Sequence, residues 1–152
     1  KLKYIIKTSK DSNQETIILC VGSDRSTGDS LGPIIGYKLK KSMQCNFYVY
    51  GDLTHPVHAA NLARYMECIN QTFINPYRKD HVGLITLGTG PLRPGLGVKK
   101  KLPEVGDIHI TGIVNESSNE NHSTLQTTRL YVIMQIADVI TNAFGMLQQN
   151  TF

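Results

Sequence analysis

Between Ser23 and Ser30 the chain reads SDRSTGDS, a stretch far richer in carboxylate, guanidinium and hydroxyl groups than a connector requires. Asp29 is the residue best suited to chemistry, as a proton donor or acceptor or as a hard oxygen ligand, with Asp24 and Arg25 close enough in sequence to tune it. A commoner use of an Asp or Ser just before a helix is the N-cap, in which its oxygen accepts a bond from an orphan backbone N–H. Either Asp29 or Ser30 suits that role. GSDRSTG lacks the closing Gly-Lys-Ser/Thr of a P-loop and the glycine spacing of a dinucleotide fingerprint, so nucleotide binding is disfavoured. A second group is His55 and His58, three residues apart in THPVH, which could bind a metal or move a proton. The alternative for both is a surface or capping histidine.

The elements that must position these groups follow from the apolar pattern. Ile17, Ile18, Leu19, Cys20 and Val21 form a continuous apolar run, the signature of a strand covered on both faces in a parallel sheet. Leu31, Ile34, Ile35 and Leu39 then recur at helical spacing, with Pro33 tolerated in the first turn. Asp24, Arg25, Asp29 and Ser30 are thereby placed beyond the carboxyl end of a strand, the edge where open α/β sheets gather their sites. Phe47–Tyr50 reads as a second strand. Pro56 marks a helix start, and Ala59, Leu62, Ala63, Met66, Ile69 and Phe73 form its apolar stripe to about Thr72. Val82–Leu87 and Ile108–Val114 read as strands. Leu130, Ile133, Met134, Ala137, Ile140, Phe144 and Leu147 line the core face of a long closing helix. This alternation predicts a layered α/β fold.

The chain has 152 residues, 40% hydrophobic and 18% charged, enough for one buried core and too few for two ordinary domains. A single domain over 1–152 is expected, with 1–15 a loosely attached arm. The net charge of +4 is scattered apart from Lys99–Lys101, which implies no nucleic-acid partner. No apolar run suggests a membrane span, and no signal peptide is visible. Because the chain does not begin with Met, its start is expected to lie downstream of the true N-terminus. Cys20, Cys45 and Cys68 lack any C-x-x-C pairing and read as reduced core thiols of a cytosolic protein. The Gly/Pro-rich loop 88–101, GTGPLRPGLGVKKK, suits a rigid connector or a substrate-binding edge that includes Arg93. The loops around Asp52–His55 and Gly88–Gly97 are expected to share a cleft with Asp29. The polar turn ESSNENHST contains His122, a weaker candidate for metal binding or proton transfer.

Taken together, GSDRSTGDSLGP, HPVHAANL, GPLRPGLGVKKKLPEVGDIHITGIVN and LQTTRL make the chain resemble the YyaC-type sporulation proteins, regarded as spore proteases of spore-forming Firmicutes. The resemblance runs colinearly from about Ile17 to Ala143. It implies a three-layer α/β/α sandwich with a mostly parallel sheet, shared with the germination protease and the hydrogenase maturation endopeptidases. It also implies an acid after the first strand paired with an aspartate at the end of a later central strand. Asp29 matches the first acid, catalytic in the germination protease and metal-binding in the hydrogenase-processing enzymes.

The resemblance further implies a sporulation-associated endopeptidase of the atypical aspartic type, in the cytoplasm of mother cell or forespore. Two carboxylates sharing a site do not both ionise readily, so one holds a proton while the other activates water. Asp29 and Asp24 are the catalytic candidates, and Arg25, Ser26, His55 and Arg93 the substrate-binding ones. No cofactor is required, the partner is a protein or peptide, and a homo-oligomer is possible. Two alternatives remain. One is a metal-dependent peptidase in which Asp29, His55 and His122 hold a divalent ion such as zinc or nickel. The other is a catalytically silent sporulation protein that binds a partner.

The chain departs from the family pattern in two places: ESSNENHST stands where the family usually has an apolar aromatic stretch, and a strand is absent after Tyr77. Where the family has an I-A-I-D-A-x-L-G strand after Asn-Pro-Phe/Tyr, Asn75-Pro76-Tyr77 runs directly into Arg78-Lys79-Asp80-His81. A strand and its acid are absent, and Asp80 is a poor substitute because it sits among charges. The expectation is that residues carrying the second aspartate belong between Tyr77 and His81, since loss of a central strand would leave its neighbours with unpaired backbone groups.

Overall fold

The computed structural model describes residues 15–42, 47–73, 83–89, 106–114 and 126–149. Strand β1 (Thr16–Cys20) leads through a short 3-10 turn (Thr27–Asp29) into helix α1 (Leu31–Lys41). Strand β2 (Tyr48–Tyr50), helix α2 (Leu62–Phe73), strands β3 (Gly83–Thr89) and β4 (Ile108–Gly112), and helix α3 (Leu130–Gln149) follow. The four strands pair in the order β2-β1-β3-β4, every pair parallel. The fold is therefore α/β with an all-parallel central sheet among the described residues, where the sequence predicts a mostly parallel one.

β1 occupies the middle because all five of its residues bury. Its alternating side chains serve two cores, as the period of two requires. Ile18 and Cys20 pack with Leu31, Ile35 and Leu39 of α1, Ile85 and Leu87 of β3, and Ile133, Ala137 and Phe144 of α3. Ile17 and Leu19 pack on the opposite side with Val57 and with Leu62 and Ile69 of α2. A Lys38–Asp138 ion pair at 2.7 Å ties α1 to α3 at the surface.

β1 pairs directly with β3. Ile17, Ile18, Leu19 and Cys20 are in register with Leu84, Ile85, Thr86 and Leu87, while the other edge of β1 pairs with β2. Both edges of β1 are hydrogen-bonded, so the anticipated cost of unpaired backbone groups beside it does not arise. The amino-acid sequence runs without interruption from Tyr77 to His81. Residues 74–82, including Asp80, lie outside the described residues, as do the arm residues 1–14, Cys45, loop 90–105 with Arg93, and the turn carrying His122.

Four local readings need correction. α2 begins at Leu62, not at Pro56, because Asn61 turns the chain first: its Oδ1 accepts from the His58 N–H at 2.8 Å and its Nδ2 donates to the Pro56 carbonyl at 3.0 Å. Ala59 and Ala63 are exposed rather than part of a core stripe. Leu130 is likewise exposed at the start of α3, and Cys68 is exposed where a core thiol was expected, whereas Cys20 is buried. α3 is also long and apolar enough to cross a membrane by length and composition. Its Ile133, Ala137 and Phe144 sit in the core against α1 and the sheet, while Leu130, Tyr131, Val139 and Met146 are exposed.

Candidate functional site at the carboxyl edge of the sheet

Strand β1 lies between β2, which follows it in sequence on one side, and β3 on the other, so the chain reverses its direction of travel across the sheet at β1. The carboxyl end of such a switch point is where open α/β sheets bind ligands. The segment just past β1 is held there by backbone bonds to both neighbours. The Val21 N–H donates to the Leu87 carbonyl at 2.6 Å, the Gly22 N–H donates to the Val57 carbonyl at 2.7 Å, and Val21 bridges to Val57. Gly22 has φ +153°, and a Cβ there would fall on the Asp29 backbone oxygen and crowd Pro33. A glycine is needed for the loop to double back so tightly.

The loop then closes on itself. The Ser23 N–H donates to the Asp29 carbonyl at 3.0 Å and the Asp29 N–H to the Ser26 carbonyl at 3.0 Å. Asp24 and Arg25 stand exposed, and Asp29 is half-buried. The capping role open to Asp29 or Ser30 is filled by neither side chain: Ser30 occupies the N-cap of α1 without a side-chain bond, and its hydroxyl donates instead to the Thr27 carbonyl at 2.7 Å. Burial pushes the Asp29 carboxyl up from its ordinary 3.8 to about 6, against a smaller opposing effect of hydrogen bonding from the Ser23 backbone. Among the described residues the Ser26 hydroxyl is buried with no hydrogen-bond partner. A shielded carboxyl and an unpaired hydroxyl thus share one loop, and both gain from an added hydrogen-bonding group.

The loop after β2 contributes a second polar cluster, centred on Asp52, a residue the sequence marks only as part of a loop. Its carboxylate accepts from Lys40 Nζ at 2.5 Å, the Thr54 N–H at 2.8 Å, the Thr54 hydroxyl at 2.7 Å and the His55 N–H at 2.7 Å. Burial alone would raise the Asp52 carboxyl, but the Lys40, Thr54 and His55 bonds outweigh it and hold the group well below the usual carboxylate range. The signal in the sequence was the D-x-T-H spacing, since Asp commonly accepts from N–H groups two and three residues on. His55 is the exposed end of this cluster, with 76% of its side chain accessible. His58 is drawn into the turn before α2, where its carbonyl accepts from the Asn61 and Leu62 N–H groups.

Of the sequence candidates, Asp24, Arg25, Ser26 and Asp29 share one loop, and His55 lies on the neighbouring loop joined to it through Val57. Arg93 and His122 lie outside the described residues. Among the described residues no three His, Cys, Asp or Glu side chains group so as to hold a metal ion. Thr86 and His109, to which the sequence assigns no role, hydrogen-bond across β3 and β4.

A family model described as a protein of unknown function, DUF1256, matches residues 1–143. The chain belongs to the DUF1256 family. The chain is similar to the Uncharacterized protein YyaC of Bacillus subtilis (strain 168), 43% identical over 157 aligned positions that cover 96% of this chain and 77% of the relative. That alignment is longer than the 152 residues of this DUF1256 chain, so the relative carries residues inside the matched span for which this chain has none. No solved structure matches the chain.

Proposed function

We propose that this DUF1256 chain is a sporulation-associated endopeptidase of the atypical aspartic type, with Asp29 as its working carboxyl. The observation that carries the reading is a half-buried carboxyl, pushed up to about 6, at the switch point of a parallel sheet. A group in that range can both take and return a proton near neutral pH. Asp29 accepts a proton from the water whose oxygen bonds to the peptide carbonyl carbon. It then returns that proton to the amine nitrogen as the C–N bond breaks. Asp24 on the same loop is the second acid, while the exposed Arg25 offers hydrogen bonds to the peptide backbone. The substrate is a protein or peptide, and the sporulation setting rests on the resemblance to the YyaC-type proteins.

The test is hydrolysis of β-casein by the wild type and by Asp29→Asn, with circular dichroism to monitor folding. Loss of about 100-fold or more in turnover, the usual scale for removing an acid–base group, is expected without loss of fold. Full activity in Asp29→Asn rules Asp29 out.

A second reading has its own support. Because β1 is paired on both edges, no additional acid-bearing strand can lie beside it in the sheet. A chain with one shielded carboxyl in that position can bind a peptide carbonyl through its proton without cleaving the bond. A wild type that binds β-casein and leaves it intact supports this silent, partner-binding role.

A further inference from the structure

The proton positions in the loop after β2 can be worked out from its hydrogen bonds. The Thr54 hydroxyl has one proton and lies 2.7 Å from Asp52 Oδ1 and 2.9 Å from His55 Nδ1. An ionised carboxylate has no proton to give, so the contact with Asp52 is attractive only if Thr54 supplies its single proton there. Asp52 is committed to the ionised form by its other donors, the Lys40 ammonium and the Thr54 and His55 backbone N–H groups. The Thr54 oxygen is left with lone pairs alone toward His55. Nδ1 must therefore carry the imidazole proton, and in the neutral ring Nε2 is left bare.

We infer that Asp52 and Thr54 are positioning residues that hold His55 in its Nδ1–H tautomer, so that Nε2 stands at the loop edge as a hydrogen-bond acceptor for an N–H group of a bound peptide. The arrangement is the outer-shell device by which a carboxylate orients an imidazole, here with a hydroxyl interposed. The direct His55 Nδ1 to Asp52 Oδ1 separation of 3.9 Å is too long for a bond without that hydroxyl. The loop faces the right place, because Val57, two residues beyond His55, is bonded to Gly22 at the start of the Asp29 loop. His55 itself is free to meet a ligand, with three quarters of its side chain accessible. The peptide as ligand rests on the function proposed above; the tautomer does not.

The test is nitrogen-15 correlation spectroscopy of the histidine side chains at about pH 8, where an ordinary imidazole is neutral. In the wild type His55 is expected as Nδ1–H, and Thr54→Ser, which keeps the hydroxyl, preserves it. Thr54→Val removes the acceptor and is expected to move His55 toward Nε2–H. An Nε2–H ring in the wild type, or an unchanged tautomer in Thr54→Val, overturns the inference. Adding β-casein peptides to the wild type and to Asp29→Asn is expected to shift the Nε2 resonance in both. No response in either also overturns the inference. A shift without any cleavage by the wild type instead counts against the endopeptidase alone.

Discussion

Replacing Asp29 by Asn should stabilise the protein near neutral pH and have little effect in acid. Burial raises this carboxyl from its ordinary 3.8 to about 6. The native state therefore binds the proton more tightly than the unfolded chain does. Where the native state holds more protons, stability falls as pH rises. The whole effect is absent below the unfolded value, grows between about pH 4 and 6, and is complete above about pH 6. The full free-energy difference corresponds to about 3 kcal/mol. Because Asp29 is only half-buried, solvent screening lowers the expected penalty to about 1–2 kcal/mol. Asn has the same shape and no charge to desolvate. In urea melts at about pH 7.5, Asp29→Asn should exceed the wild type by that amount, or by about 2–8 °C in melting temperature for a domain of this size. At about pH 3.5 the two should agree. Taking the mutant-minus-wild-type difference at each pH cancels the carboxylates that the two proteins share. A mutant that is less stable than wild type by the same amount at both pH values would show that Asp29 is a structural hydrogen-bonding group, and the raised pKa would have to be abandoned.

Two further perturbations probe the frame around the site. Asp52→Ala leaves the Thr54 and His55 N–H groups and the Lys40 ammonium without their acceptor, and should cost about 2–4 kcal/mol in urea unfolding at neutral pH. Because the folded-state pKa of Asp52 is depressed, this contribution is present above the ordinary carboxylate range and is lost as pH falls through the folded value. The mutant should therefore approach the wild type in acid. Phe144→Ala opens a cavity in the core under α3, where Phe144 is 1% exposed and meets Phe47 edge-on at 5.7 Å. It should cost about 3–5 kcal/mol in the same assay, and a loss below 1 kcal/mol would mean that α3 is not packed there as described.

Local chemistry carried most of what the sequence revealed. The uncharged run at β1 and the 3.6-residue pattern of α1 identified both elements, and with them the place of Asp29, since an edge loop has to follow a strand. Pro56 misled because it has the look of a first helical residue, whereas the turn is made by Asn61 bonding backward to Pro56 and His58. Ala59 and Ala63 fitted the helical stripe but are small enough to stand in water at little cost, so their spacing carried no burial information. The pairing of β1 with β3 is a contact between segments about 65 residues apart, and no local pattern encodes which strand fills a vacant edge. The Asp52 cluster was legible in its D-x-T-H turn, but the Lys40 partner comes from a helix that only the tertiary fold brings near.

The central position of β1 also shapes how the chain is made. Thr16–Cys20 is the first of the described strands to leave the ribosome, and it is uncharged, yet its second edge is not covered until β3 at Gly83–Thr89 has been synthesised. At about 5–20 residues per second that wait is roughly 3–15 s, long compared with the microseconds in which hydrophobic segments collapse. During this interval a strand that is buried along its whole length in the folded protein is available to any other strand edge it meets. Early production of soluble chain should accordingly depend on holding factors that recognise short apolar stretches. A substitution that weakens β3 should lower yield through aggregation at β1 before it lowers the stability of molecules that have finished folding.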